Sequence, residues 1–379
     1  MKQQLFKKLQ QIAEQNLLDI EVHKKKGEHV VGFYCLYAPT ELAVAANAIV
    51  LPLCGTRQAP IEAAEERLPR NLCPLIKSSY GFAVTDTCPF FRFSDMIVAD
   101  TTCDGKKKMF ELMSDIKPVH VLQLPQNQDF NISLEPWKNE IEKLRTVLET
   151  LTDKKITQEK ISLAIALLNN ERKTKKRLMD VTKAKPSPLT GMELVEILFK
   201  TGFFADKQKG IDLMNEIADL CLQLIEKKES PYTTETPRIL LTGVPIGLGS
   251  DKVVKIIEQS GANVVAFENC SGYKQTFQVN EEKDPMLALS EQYLSIPCSV
   301  MSPNQGRIDL LKEMISEFSI DGVVDLTWQA CHTYNIESYH IQKLVQESFG
   351  LPFLHLETDY SESDTEQLRV RIEAFLEMT

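Results

Sequence analysis

The sequence predicts an α/β protein with two parallel-sheet domains, Rossmann-like or flavodoxin-like, joined by a helical connector. Near both ends of the chain, short apolar runs typical of buried strands alternate with helix-like stretches, as in parallel sheets with crossover helices. Between these regions lies a long charged segment whose apolar residues recur at helical spacing. A chain of 379 residues is also longer than one ordinary hydrophobic core accommodates, so more than one domain is expected.

The first predicted domain comprises residues 1–134 and begins with an amphipathic helix. Runs of mainly apolar residues follow, and we interpret them as strands at 29–35, 49–54, 96–100 and 119–124. The stretches between these runs favour helix, which predicts helices at 40–48, 75–82 and 106–116. This alternation of strand and helix predicts a mainly parallel sheet.

The predicted connector comprises residues 135–229 and is helical, with a break at 183–191. A polar linker at 230–237 opens the second predicted domain, residues 230–379. The strands of this domain are predicted at 238–243, 263–269, 322–328 and 352–357. Ser363 and Glu366 have the spacing of a capping box, which predicts the start of the terminal helix.

Composition argues against several classes of function. The net charge of −10 disfavours nucleic acid as the main partner, since phosphate binding needs a basic surface. No run of 18 apolar residues is present, so no membrane span is expected. The first ten residues lack the apolar core of a signal peptide, which predicts a cytoplasmic protein. In that reducing compartment the nine cysteines, an odd number, are not expected to form structural disulfides.

The positions of the cysteines are the most informative feature of the sequence. Five of them lie at or shortly after the ends of predicted strands: Cys35, Cys54, Cys103, Cys270 and Cys331. Because ligands of open parallel sheets bind beyond the carboxyl ends of the strands, these thiols are expected to converge in an interdomain cleft. Placement alone leaves two interpretations open, metal binding and the burial of thiols as small apolar groups.

The remaining cysteines divide into two kinds. Cys73, Cys88 and Cys298 stand next to prolines, in segments where regular structure is disfavoured. Cys221 is in helical register with Ile217, so we expect it in a hydrophobic core. No Cys-x-x-Cys pair occurs, which argues against structural zinc fingers and ferredoxin-type sites. A cluster held by distant thiolates, each on its own loop, remains compatible with this spacing.

Several segments resemble motifs of the 2-hydroxyacyl-CoA dehydratase subunits. These segments are residues 34–41, 71–81, 101–109, 296–301, 327–335 and 357–362, and they extend over most of the chain outside its helical middle. In that family, three cysteines of a subunit bind a 4Fe-4S cluster. The resemblance implies that Cys73, Cys103 and Cys331 are the corresponding ligands here.

Three further cysteines at motif positions, Cys35, Cys270 and Cys298, exceed what one cluster needs. This pattern is similar to the double-cubane branch of the family, in which six cysteines hold an 8Fe-9S cluster. Cys54 or Cys88 could replace one of the three. The alternatives that stay open are a dehydratase subunit with one 4Fe-4S cluster and a non-catalytic electron carrier.

The resemblance also implies partners. An ATP-dependent reductase, or activator protein, would supply single low-potential electrons, and the chain itself has no P-loop motif for ATP. The substrate would be an acyl-CoA or another small molecule, and a double-cubane protein would be expected to form a homodimer. The expected activity is therefore that of an iron–sulfur reductase or a dehydratase subunit, working under anaerobic conditions.

Other side chains near these motifs are candidates for catalysis or binding. Glu41 and His332 could act as acid–base groups, although a helix-start carboxylate and a core histidine are the simpler interpretations. One of the lysines at 106–108 could offset the charge of a cluster or substrate, or all three could form a solvated helix face. The loop at 243–250 lacks the Gly-x-Gly-x-x-Gly spacing of dinucleotide sites, but could bind a CoA phosphate or an acyl group.

Overall fold

Short runs of apolar and β-branched residues form two four-stranded sheets in the computed structural model, which describes all 379 residues. Six of the eight strands are buried along nearly their whole length because helices cover both sides of a parallel sheet, whereas one edge strand of each sheet is partly exposed. The first sheet contains β1 (Val30–Tyr34), β2 (Ile49–Leu53), β3 (Met96–Asp100) and β4 (Val119–Leu122). The second contains β5 (Arg238–Gly243), β6 (Asn263–Phe267), β7 (Gly322–Trp328) and β8 (Phe353–Thr358).

The two sheets have the same topology. Their strand orders are β2-β1-β3-β4 and β6-β5-β7-β8, and every neighbouring pair of strands is parallel. The predicted fold class, α/β with two parallel-sheet domains, is confirmed. In each sheet the third strand is added on the opposite side of the first strand from the second. A crevice therefore lies between the carboxyl ends of β1 and β3 in the first sheet, and between those of β5 and β7 in the second. Such crevices are the usual ligand sites of open α/β sheets.

Fifteen α-helices surround and connect the sheets. Those of the first third are α1 (Lys2–Lys25), α2 (Glu41–Ala45), α3 (Ile61–Ala64), α4 (Pro74–Thr85), α5 (Pro89–Phe93) and α6 (Asp104–Met113). The middle of the chain forms α7 (Phe130–Thr152), α8 (Gln158–Asp180), α9 (Gly191–Gly202) and α10 (Lys207–Glu226). The last third adds α11 (Lys252–Gln259), α12 (Pro285–Leu294), α13 (Gln305–Glu317), α14 (His332–Lys343) and α15 (Thr365–Leu376). None of these helices has the length and apolar character needed to cross a membrane.

The expected capping box at the start of α15 is wrong. The N-cap residue is Asp364 rather than Ser363, and no side chain caps the helix. The carboxylate of Asp364 instead accepts hydrogen bonds from the Lys252 ammonium and the Thr358 hydroxyl. Through these two bonds Asp364 connects the start of α15 to Lys252 on α11 and to Thr358 on β8. Contacts with other elements therefore hold this end of the helix, and no side-chain cap does so.

The core of the first sheet receives part of the last third of the chain. Apolar residues between 279 and 301 pack with β1, β3, α7 and α8 in one buried cluster. The Tyr37 hydroxyl donates a buried hydrogen bond of 2.9 Å to the carbonyl of Ile296, and the Gln128 amide donates to the same carbonyl. The segment 279–301 is thus anchored to the first sheet, although the predicted domain limits of 1–134, 135–229 and 230–379 assign it to the second. Those limits stay a prediction.

Candidate functional site

A cavity of about 480 Å³ lies between the carboxyl ends of the two sheets. Hydrophobic residues make up 23 of its 37 lining residues. Seven of the nine cysteines line it, namely Cys35, Cys54, Cys73, Cys103, Cys270, Cys298 and Cys331. Cys88 lies outside the cavity, and Cys221 is buried in the core on α10, as its helical register predicted. Thiols from distant parts of the sequence therefore meet in one mainly apolar space.

Local backbone structure directs several of these thiols into the cavity. Cys73, Cys103 and Cys331 are the N-cap residues of α4, α6 and α14, so each thiol stands at the positive end of a helix. The Cys103 sulfur accepts a hydrogen bond of 3.5 Å from the Lys106 backbone N–H. Cys35 follows β1 directly and has a left-handed φ of 70°. Because non-glycine residues rarely adopt that conformation, the backbone at Cys35 is held in place by its surroundings.

Cys73, Cys103 and Cys331 form a first group, which we call trio A. Interaction with the neighbouring Cys73 thiol lowers the pKa of Cys331 to about 7, and the same interaction raises the pKa of Cys73. Burial raises the pKa of Cys103, and the negative charge of Cys331 raises it further. Cys331 thus lies close enough to Cys73 and to Cys103 to influence the ionisation of both.

Cys35, Cys270 and Cys298 form a second group, trio B. Interaction with the neighbouring Cys270 thiol lowers the pKa of Cys298 to about 5, and the same interaction raises the pKa of Cys270. Burial raises the pKa of Cys35 to about 12, and the charge of Cys298 contributes to this increase. Cys298 also acts on the pKa of Cys331, so the two trios are neighbours.

The donor set suits a cluster better than a single ion. No three His, Cys, Asp or Glu side chains come close enough together to ligate one metal ion. The ligands of an iron–sulfur cluster, in contrast, bind different irons and are separated by the cluster itself. A mainly apolar cavity lined by six thiols in two trios is compatible with that arrangement. Their role as cluster ligands stays a prediction.

Hydrogen bonds to backbone carbonyls hold the loops of trio B. The Gln275 amide donates to the Cys270 carbonyl at 2.9 Å, and the Asn304 amide donates to the Cys298 carbonyl at 3.0 Å. Asn304 also donates to Glu337 at 2.6 Å, and Glu337 pairs with the fully buried Arg307. Buried charge therefore supports the loop that carries Cys298.

The two predicted acid–base residues occupy different environments. His332 lines the cavity as the first residue of α14, and its side chain is exposed. Glu41 is fully buried and does not line the cavity. Its carboxylate accepts hydrogen bonds from Arg172 at 2.7 Å and from the Tyr293 hydroxyl at 2.8 Å. His332 is therefore placed where it could reach a ligand in the cavity, whereas Glu41 joins α2 to α8 and α12.

Replacing Glu41 by glutamine is expected to destabilise the fold without removing a bound cluster. A charged hydrogen bond of this kind contributes about 2 kcal/mol, and its loss leaves the Arg172 guanidinium unpaired. Urea unfolding of the metal-free protein measures this cost, with the exposed Glu62→Gln as the control. An unchanged unfolding free energy together with lost activity would instead support an acid–base role for Glu41.

Among the three lysines at 106–108, only Lys106 lines the cavity. Lys107 and Lys108 are exposed, and Lys108 pairs with Glu111. Burial lowers the pKa of Lys106, but the negative charges of Cys35, Asp100 and Cys103 raise it well above its usual value. The Lys106 side chain therefore stays positively charged inside the cavity.

Helix α9 supplies a wall that sequence reasoning missed. Val195, Leu198, Phe199 and Phe203 on and just after this helix line the cavity. The sequence interpretation assigned α9 to a connector without functional residues. The available signal was a run of apolar residues spaced three or four apart, but core packing produces the same spacing. The loop at 243–250 also contributes Val244, Pro245 and Ile246.

A smaller cavity of about 160 Å³ adjoins the first one behind Cys35. Glu171, Lys175 and Lys207 are among its lining residues. Burial would raise the pKa of Glu171, but the neighbouring Lys175 and Lys207 lower it to about 2. Glu171 and Lys175 form an ion pair of 3.1 Å.

This ion pair predicts a pH dependence of stability. The pKa of Glu171 is lower in the folded state than in an unfolded chain, where it is about 4.3. The stabilisation is therefore complete above about pH 4.3 and is lost as the pH falls towards 2. Between pH 5 and pH 3 we expect Glu171 to account for a loss of about 1–2 kcal/mol. Glu171→Gln should flatten the urea-unfolding profile over this range, and Glu159→Gln, exposed on the same helix, should not.

Comparison with known proteins identifies the family. The family model described as 2-hydroxyglutaryl-CoA dehydratase, D-component, matches residues 35–379. The chain belongs to this family. The resemblance inferred from the motifs is confirmed, and it covers the helical middle of the chain as well.

Relatives of this dehydratase-family protein cover most of its length. It is 42% identical over 376 residues to YjiM of Escherichia coli (strain K12), by its name a candidate dehydratase subunit, with 99% of this chain and 97% of YjiM aligned. It is 24% identical to the (R)-phenyllactyl-CoA dehydratase beta subunit of Clostridium sporogenes, over 93% of this chain and 92% of that relative. It is 21% identical to the beta subunit of lactoyl-CoA dehydratase of Anaerotignum propionicum, over 93% and 92% of the two chains. These names support an enzyme role of the dehydratase type.

Proposed function

We propose that this chain is an enzyme subunit that holds a low-potential iron–sulfur cluster in the cavity between its two sheets and acts on a small substrate there. The observation that carries the proposal is the meeting of six thiols, from six separate segments, in one mainly apolar cavity. Thiolates are the usual protein ligands of iron–sulfur clusters. When bound, such a cluster would supply single low-potential electrons to the substrate.

The protein's own residues would perform four tasks. Trio A and trio B would hold the cluster, and the helix N-termini at trio A would stabilise its thiolates. The wall formed by α9 and the loop at 243–250 would exclude water and limit the size of the substrate. His332, exposed at the cavity, would be positioned to give a proton to the substrate or take one from it. Glu41 is a weaker candidate because it is buried outside the cavity.

Six thiols in two neighbouring trios favour a double cubane, 8Fe-9S, with Cys35, Cys73, Cys103, Cys270, Cys298 and Cys331 as ligands. Cys54 also lines the cavity and remains an alternative ligand, whereas Cys88 does not line it. The second candidate is a dehydratase subunit with one 4Fe-4S cluster on trio A. The family match and the dehydratase names of the relatives favour this candidate.

Anaerobic iron and sulfide counting tests the proposal. About eight irons per chain would support the double cubane, and about four would support the single cluster. An iron-free, colourless protein prepared under strict anaerobiosis would contradict both. As the family resemblance implies, electrons would come from a separate ATP-dependent reductase, and the chain itself has no P-loop motif for ATP. A homodimer and a cytoplasmic location are part of this proposal.

A turnover assay separates an enzyme from an electron carrier. The iron-loaded protein is reduced with titanium(III) citrate and mixed with (R)-2-hydroxyglutaryl-CoA, a substrate suggested by the family description and by the name of a related beta subunit. Formation of the unsaturated acyl-CoA would identify a dehydratase. A protein that passes electrons to a redox dye but converts neither this thioester nor other small acceptors would be a carrier.

A further inference from the structure

Lys106 is the one lysine or arginine side chain that lines the cavity. It is the third residue of α6, and Cys103 of trio A is the N-cap of the same helix. No carboxylate lies within ion-pair distance of its ammonium, and the titratable groups that face it are Cys35, Cys54, Asp100 and Cys103. The positive charge of Lys106 is therefore directed towards thiols of both trios and is not used by a structural ion pair.

The position of Lys106 is unfavourable for the helix itself. A cation in the first turn of a helix opposes the helix dipole, and partial burial adds a further cost. The exposed Lys107 and Lys108 can point to solvent, but Lys106 cannot do so fully. Negative charge inside the cavity is the feature that offsets both costs.

We propose that Lys106 is the electrostatic counter-charge of this cavity, and that it stabilises the negative charge added when an electron arrives. This inference rests on the proposed function, since it requires a cluster in the cavity. Each one-electron reduction takes one electron from the external reductant and adds one negative charge between the trios. The fixed positive charge of Lys106 makes that addition easier, with no proton transfer required. Lys106 is a positioning residue in this scheme, because it acts through the ligands rather than on the substrate.

Removing the charge should make reduction harder without blocking it. In Lys106→Met, we expect the ratio of reduced to oxidised cluster at a fixed potential to fall at least about tenfold. For a one-electron couple, a tenfold change corresponds to about 59 mV. Lys106→Arg keeps the charge and should stay within about twofold of the unmodified protein. Lys107→Met removes the neighbouring charge from the exposed side of the same helix and should also stay within about twofold.

The measurement is an anaerobic redox titration of the iron-loaded, full-length protein, in which electron paramagnetic resonance detects the reduced cluster. Iron is counted in each variant. An unchanged ratio in Lys106→Met would overturn the inference, as would an equal shift in Lys107→Met. If Lys106→Met and Lys106→Gln both fail to retain iron while Lys106→Arg retains it, the requirement for a positive charge is supported. If the unmodified protein binds no iron, the proposed function itself fails. That result differs from an iron-loaded protein in which the ratio of reduced to oxidised cluster does not change in Lys106→Met.

Discussion

Serine in place of any cysteine of trio A is expected to remove at least half of the iron and to lower turnover more than a hundredfold. A serine hydroxyl is a much poorer ligand for iron than a thiolate, because it stays protonated near neutral pH and is a harder donor. We expect this loss for each of the three substitutions, because the three thiols line the same part of the cavity. Anaerobic iron counting of each purified variant gives the result.

Trio B distinguishes the two candidate clusters. If the chain holds a double cubane, Cys35→Ser, Cys270→Ser and Cys298→Ser should each lower the iron count from about eight to about four or fewer. If it holds a single cluster on trio A, the same changes should leave about four irons in place. Cys88→Ser is the matched control, since Cys88 is also half-buried and beside a proline but lies outside the cavity. Iron loss in the control equal to that of the trio variants would contradict the assignment of ligands by cavity position.

Replacing Arg307 by methionine is expected to cost about 3–5 kcal/mol of unfolding free energy. Arg307 is fully buried, and its guanidinium lies 3.2 Å from Glu268 and also pairs with Glu337. Glu268 would keep the buried Lys274 at 2.7 Å, but Asp325, 3.7 Å from the guanidinium, and Glu337 would lose their basic partner, which costs more than the loss of the ion pair itself. Urea unfolding of the metal-free variant measures the effect.

Two further variants test the reason for this cost. Lys312→Met removes an exposed cation from the same helix, α13, and should change stability by less than about 0.5 kcal/mol. The double variant Arg307→Met, Asp325→Asn removes the buried carboxylate that has no other basic partner and should recover part of the loss. No recovery would indicate that Arg307 acts mainly by filling space.

Because Asn304 connects Glu337 to the Cys298 loop, we also expect the Arg307 variant to bind iron less completely.

The sequence was sufficient for the fold and for the convergence of the thiols. Runs such as Ile49–Leu53 and Met96–Asp100 are short and apolar, so their identification as buried strands needed only local information. Cysteines that follow such strands, such as Cys35 and Cys103, had to reach one edge of a parallel sheet, because all carboxyl ends meet there. Local pattern and topology together were therefore enough to predict the cavity.

Contacts between distant parts of the chain could not be predicted in the same way. The local sequence around Glu41 does not indicate that this carboxylate pairs with Arg172, which lies 131 residues further along the chain. The apolar face of α9 has the spacing of an ordinary core helix, so its place in the cavity wall required the tertiary structure. Asp364 and Lys252, which replace the expected capping box, are likewise separated by 112 residues.

The segment 279–301 has a consequence for how the cavity can be filled. This segment carries Cys298 and packs beside β1 and α7. The two sheets therefore cannot separate unless the segment leaves the core of the first sheet. A preassembled cofactor would therefore have to be inserted before this segment docks. Insertion of the cluster would then depend on the order in which the chain folds. Segment 279–301 would have to dock last, after the cofactor is in place.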